Sequence, residues 1–410
     1  MNKSFRRIAL LACGATILAA CGNRETKEAL DKSSSLAQQQ QYTDANDVLI
    51  AALQARETKI RNAAGNPADQ TATDALTAKV QADSEILKME RAQIPIYLLM
   101  DHVDSANMAS AVYNDILLGD PTDTSVFNLL HSPDKILRKG AVGVLGLAAD
   151  PKSKLFDQTV DALINATKDS DDDVRHAAVS ALDTIKDPRV VPRVVPPLIA
   201  ALKDSAWSTR FEAASALGEK NDVRAVGPLF DAIGDSKKIV SDAAHDALVD
   251  LVVHHDADGK PDSVVKADDF VPHLTDTNEK ISMTAAECMG LLGDARAVPV
   301  LLKLATSTDG DIRLNAVKGL GEAGDKAALP TLRQGLKDPN LNMRGWSIIG
   351  LGRLKDEDSL IDLEHIATDD AQPTNIRQAA AAAVDEIKKS LPPDVQSAPD
   401  AVNAPDMPSQ

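Results

Sequence analysis

From about residue 121 onward, apolar positions recur at offsets of three and seven on a polar background. That is the spacing of one face of an α-helix. The pattern itself recurs. With Arg313 as position zero, the segment Asp311-Ile312-Arg313-Leu314-Asn315-Ala316-Val317-Lys318-Gly319-Leu320-Gly321 has equivalents along the chain. The zero positions are Arg138, Arg175, Arg210, Ser241, Ser282, Arg313, Arg344 and Arg377, spaced by 37, 35, 31, 41, 31, 31 and 33 residues. A period of this length marks supersecondary units that bury their apolar faces by stacking.

Each column has a physical meaning. Three after zero stand Ala141, Ala178, Ala213, Ala244, Ala285, Ala316, Ser347 and Ala380. A small residue in every repeat implies that another helix crosses close to it. Seven after zero stand Leu145, Leu182, Leu217, Leu248, Met289, Leu320, Leu351 and Val384, the larger core residues. Glycine follows in five repeats, at Gly146, Gly218, Gly290, Gly321 and Gly352. Two before zero, Asp173, Ser208, Asp311, Asn342 and Asn375 are expected to cap the helix, a side-chain oxygen accepting from a first-turn N–H. Before each such helix comes another, which often opens on proline (Pro197, Pro228, Pro299, Pro330), a residue tolerated in the first turn. The pattern predicts an all-α chain of helix–turn–helix repeats.

This pattern resembles the HEAT-like repeat family, particularly the short form found in phycobilisome lyases, over about eight repeats in residues 121–390. The resemblance implies a right-handed α-solenoid of HEAT-like helical hairpins. It also implies a charge ladder between stacked repeats, formed here by Asp150, Asp187, Asp222, Asp294, Asp325 and Asp356 with Arg138, Arg175, Arg210, Arg313, Arg344 and Arg377. Ser241 and Ser282 lack the arginine, so the ladder is expected to be interrupted mid-array.

Residues 21–120 differ in character. Leu36 to Ala52 suggests a helical hairpin similar to a tetratricopeptide unit, Asp74 to Met100 a long helix kinked at Pro95, and Asn107 to Leu118 a further helix. Together they are expected to cap the open apolar face of the first repeat. Residues 391–410, rich in Pro, Ala, Ser and Asp, are expected to form a disordered tail.

Met1 to Cys21 has the layout of a secretory signal: Lys3, Arg6 and Arg7, then the apolar run Ile8 to Ala20, too short to span a bilayer. Its end, Leu18-Ala19-Ala20-Cys21, resembles the lipobox of bacterial lipoproteins. The resemblance implies removal of residues 1–20 and acylation of Cys21 by a diacylglyceryl group and a fatty acid such as palmitate. Gly22 is not Asp, which in Gram-negative members implies the outer membrane, facing the periplasm. Several acyl chains on one residue anchor firmly.

The formal net charge of −17 argues against nucleic acid and anionic lipid surfaces as partners and makes a basic protein partner plausible. Aromatics are 3% of the chain, so the core is one of Ala, Leu, Val and Ile. Only Cys288 lies in the body of the chain, in a column that is otherwise Val, Ala or Gly, and is expected to be a small buried residue. Trp207 is placed in an inter-helix turn and Trp346 in a second helix; both could pack between repeats or anchor a partner.

The 41-residue spacing holds an insertion in which His254, His255, Asp256 and Asp258 are weak metal candidates. An EF-hand register fails there, with His254 in the first place and Val265 in the twelfth. No phosphate loop, His-Glu metalloprotease motif or nucleophile elbow occurs. HEAT-repeat deoxyhypusine hydroxylases bind iron through His-Glu pairs; here only the reverse order, Glu364-His365, occurs. The expected function is a protein–protein interaction scaffold without cofactor or catalysis. The alternatives are a metal-dependent enzyme using the His255 loop and a structural envelope spacer.

Overall fold

The computed structural model of the 410-residue chain describes residues 24–100, 105–121, 123–255 and 259–391. The expected signal segment, Cys21, Asp256, Asp258 and the Pro-rich stretch after Leu391 lie outside the described residues. Within them the chain is all-α, with 21 α-helices and a single isolated bridge, His255 to Pro261. No described helix is long and apolar enough to cross a membrane. The chain divides into two compact units, Met1–Lys220 and Asn221–Gln410.

In the first unit, helices Arg24–Gln38 and Tyr42–Ala64 form the expected hairpin, turning through Gln40 at φ 64°. The single helix expected from Asp74 to Met100 is instead two, Gln70–Gln81 and Ser84–Leu99. The break falls at Ala82–Asp83 because Asp83 caps the second helix, accepting from the N–H groups of Glu85 and Ile86. Arg56 holds the same carboxylate at 2.8 and 3.1 Å. Pro95 lies inside the second helix, which packs on the first repeat: a Cβ at Gly140 would meet Leu98 at 2.6 Å. Three hairpins follow, with second helices Lys135–Leu147, Asp172–Thr184 and Trp207–Glu219. Pro197, expected to open a first helix, lies inside Val191–Ala201.

The second unit continues the pattern with second helices Lys238–Val253, Glu279–Leu291, Gly310–Glu322, Leu341–Arg353 and Thr374–Ser390. Pro228, Pro299 and Pro330 stand in the first turns of their helices, as expected. The residue three after zero is fully buried in every repeat, as is the residue seven after zero in all but the last, where Val384 is 8% exposed. Second helices approach through the glycine column. A Cβ would lie 2.9 Å from Ala181 at Gly146, 2.7 Å from the Gly319 carbonyl at Gly290, 2.9 Å from Gly350 at Gly321 and 2.8 Å from Ala383 at Gly352. In the repeat of Ser241 this column holds Val249, and helix Lys238–Val253 packs less extensively on the second helix that follows.

The capping expectation needs correction. The caps are Asp134, Asp171, Asn278, Asp309 and Asn340, four before zero. The residues two before zero lie inside the first turn and supply the N–H that the cap accepts, as Asp173 does for Asp171 at 3.1 Å and Asp311 for Asp309 at 2.8 Å.

Candidate interaction surface

The zero-position arginines lie near the start of each second helix, whereas the aspartates twelve residues on lie past its end, roughly 15 Å away along the axis. They therefore do not form the expected ladder with each other. Arg138 instead makes a bidentate pair with Asp169 of the next repeat, at 2.8 and 2.8 Å, and Arg175 with Asp204 at 2.6 and 2.9 Å. Both aspartates stand six before the next zero, in the loop between helices. Each arginine also donates to the carbonyl six before itself: Arg138 to Ser132, Arg175 to Asp169, Arg210 to Asp204 and Arg313 to Ser307. One guanidinium thus ties its own loop to the next one. Partial burial pushes the Asp169 carboxyl up, but the Arg138 hydrogen bonds, the Asp171 N–H and the Arg138 charge together hold it below the usual range; at Asp204 the Arg175 hydrogen bonds are the largest influence and lower it against burial.

The aspartates twelve after zero cap the start of the next repeat. Asp187, Asp222, Asp294 and Asp325 each accept from the N–H two residues on, and the first three also hold Arg189, Arg224 and Arg296. Asp150 accepts from the Lys152 N–H at 2.8 Å, and Asp356 pairs with Arg333.

The interruption at Ser241 is present, but a cation from the following repeat bridges it: Lys280 reaches Ser241 Oγ at 2.8 Å and Asp242 at 2.6 Å. Farther on, Ala371 occupies the place of the rung aspartate, and among the described residues Arg344 has no ionic partner, its Nε buried without a hydrogen bond. Arg377 pairs with the neighbouring Asp370 at 2.7 Å.

The face of the second helices turned away from the first helices is formed by offsets two, five and nine. In the second unit it carries Trp346, Lys318, Ile349, Glu322 and Arg353. Lys318 Nζ lies 5.5 Å from the Trp346 ring centre and 2.8 Å from Glu287 Oε1, and Arg353 pairs with Glu322. Trp346, Lys318 and Ile349 are half-buried and Arg353 is exposed, so this face is reachable from solvent. In the first unit offset five holds the small residues Gly143, Ser180 and Ser215, with Leu147, Glu212 and Glu219 among the residues at offsets two and nine. Sequence reasoning named Trp346 but missed Lys318 and Glu287, which come together only when repeats stack.

Trp207 is the first residue of its helix rather than part of the turn, and is 46% exposed. Cys288 is fully buried, which pushes its thiol up and leaves it unsuited to nucleophilic chemistry. In the insertion, His254 Nδ1 lies 2.5 Å from Asp262 Oδ1, and the Asn221 carboxamide clamps the backbone at Asp262 and Val264. No group of three or more metal-ligating side chains occurs among the described residues.

Residues 124–195 and 300–385 match the family model described as HEAT repeats, so HEAT repeats are present in both units. By sequence, no curated protein matches the chain. Among solved structures, importin beta is 14% identical with a TM-score of 0.52, over 96% of this chain and 58% of that one. Kap95p, whose binding induces the switch loops of RanGDP to adopt the GTP-bound conformation, is 12% identical with a TM-score of 0.52, over 96% and 62%. The chain thus spans about three-fifths of the length of each. The CpcE–CpcF phycocyanin lyase of a Nostoc species is 22% identical with a TM-score of 0.30, over 64% and 93%. What the chain shares with importin beta and Kap95p is the fold, an α-solenoid of stacked helical hairpins.

Proposed function

We propose that the chain is an envelope lipoprotein, acylated at Cys21 and facing the periplasm from the outer membrane, that holds a protein partner against the second-helix face of residues 221–391. The observation that carries this is the placement of Trp346, Lys318, Ile349 and Arg353 on that face, outside the packing between first and second helices. An aromatic ring and an arginine on a rigid helix are the side chains from which partner binding draws most of its strength. Kap95p, of the same fold, binds RanGDP. The net charge of −17 favours a partner with a basic surface. The role is binding rather than turnover, and no cofactor is assigned.

The test of the anchor is fractionation of cells carrying Cys21→Ala. Release of the protein from membranes supports acylation; unchanged membrane association contradicts it. The test of the surface is affinity capture after cross-linking in intact cells, comparing the parent with Trp346→Ala/Arg353→Ala. A partner captured by the parent and lost in the variant supports the face. A partner retained at the parent's level places binding elsewhere.

A further inference from the structure

Glu287 has no exposed surface, and only one of its oxygens is matched. Oε1 accepts from Lys318 Nζ at 2.8 Å, while Oε2 is buried without a hydrogen-bond partner. His245 Nε2, on the preceding second helix, stands 3.5 Å from that oxygen. The other side of the imidazole decides what Nε2 can offer. Thr284 Oγ1 has one hydrogen and donates it to the Lys280 carbonyl at 2.8 Å. Toward His245 Nδ1, 2.9 Å away, the hydroxyl can only accept. Nδ1 therefore carries hydrogen. A neutral ring with its hydrogen on Nδ1 has a bare lone pair on Nε2. That lone pair would face a second bare acceptor, in a place where an unmatched polar group is costly.

We propose that His245 and Glu287 share one added proton, Nε2–H to Oε2, and that its gain and loss tighten and loosen the junction between helices Lys238–Val253 and Glu279–Leu291. The proton comes from solvent, which reaches the half-buried His245, and no other bond changes. The junction suits such a device. Val249 stands in the column that holds glycine in five other repeats, and these two helices pack less extensively than the later pairs of second helices.

Most of the neighbouring charges are engaged elsewhere; Lys318 meets the pair directly, and Asp231 on helix Val226–Ile233 and Lys303 are exposed. On helix Lys238–Val253, Asp242 holds Lys238 and Lys280, and Asp246 is exposed. On Glu279–Leu291, Glu279 accepts from Ser307. From Gly310–Glu322 come Lys318, bonded to Oε1, and Glu322, paired with Arg353. In the segment 267–273, Asp268 holds Arg296, Asp269 accepts from the Lys266 N–H, and His273 stacks on Phe230 at 3.8 Å. Lys303 lies on helix Val298–Leu304. Lys318, and with it the Trp346 ring, is held by the same carboxylate, so the proton also bears on the solvent face.

The contact exists only with the added proton bound. Its stabilisation is therefore present while that proton is held and lost once rising pH removes it. The experiment is nitrogen-15 NMR of the histidine-labelled full chain, with His245 assigned from the signal missing in His245→Gln. The expected result is a doubly protonated ring at about pH 6 that becomes the Nδ1–H tautomer at about pH 9. A neutral ring already at about pH 6, with water serving Oε2, overturns the proposal, as does a neutral Nε2–H ring. Melting curves give a second readout. Between about pH 6 and about pH 9 the parent should lose about 2–4 °C more than Glu287→Gln, whose amide can donate to Nε2 without an added proton. Equal losses in the two proteins would also overturn it.

Discussion

The two units stack the same hairpin with the same buried columns, yet they place their charges differently. In residues 123–220, Arg138 and Arg175 each find the next repeat's aspartate and close a rung along one edge, while the middle of the second helices' solvent face holds the small residues Gly143, Ser180 and Ser215 and no aromatic ring. In residues 221–391 the rungs fail. Ser241 and Ser282 bring no guanidinium, and Ala371 gives Arg344 no carboxylate, while charge and aromatic surface gather on the solvent face at Lys318, Trp346 and Arg353, with Lys318 held by the fully buried Glu287. A repeat register thus fixes the core without fixing the edge. Before Arg377 the rung position holds Ala371, with Asp369 and Asp370 eight and seven before zero. Even where Asp338 stands six before Arg344, Arg313 forms no ion pair among the described residues, and its guanidinium instead donates to the Ser307 and Thr308 carbonyls.

The comparison can be broken or sharpened by substitution, starting with the shared core. Leu217→Asp would bury an unpaired charge at a fully buried position and should cost about 4 kcal/mol or more. Loss of a cooperative melting transition is the expected outcome; a parent-like curve would mean that the register is misplaced. Gly290→Ala should cost about 1–3 kcal/mol, because its Cβ would press on the Gly319 carbonyl. Gly227→Ala, within a helix and with nothing near its Cβ, should instead stabilise slightly, by up to about 1 kcal/mol, in the same urea titration.

The edge should separate the units. Asp169→Asn should cost about 1–2 kcal/mol through the half-buried Arg138 that it leaves without a charged partner, whereas Arg344→Gln should change stability by less than about 0.5 kcal/mol. Equal costs would erase the distinction. A smaller effect follows from protonation. Asp169 and Asp204 are held below the usual carboxyl range when folded, so their stabilisation is present at neutral pH and lost as pH falls below the ordinary carboxyl range. Urea midpoints should therefore fall less steeply with acid in Arg138→Gln/Arg175→Gln than in the parent.

Much of this was legible in the sequence because stacking imposes columns. The alanine, leucine and glycine columns, and the proline starts at Pro228, Pro299 and Pro330, each carry a local steric reason. The caps were displaced by two because polar residues stand both four and two before zero, and either set can cap. The ladder was mispaired because the aspartates twelve after zero form the regular column, while the rung aspartates lie in loops of variable length. The break at Asp83 has no Gly or Pro to announce it. His245, Thr284, Glu287 and Lys318 lie in three different repeats, and no spacing in the sequence shows that stacking brings them together.

The account rests most directly on where a partner touches. Cross-linking in intact cells, followed by purification and mass spectrometry of the linked peptides, should join a partner to the second helices between residues 279 and 353, with links around Lys318. Links confined to residues 24–220, or no partner above background, would contradict it.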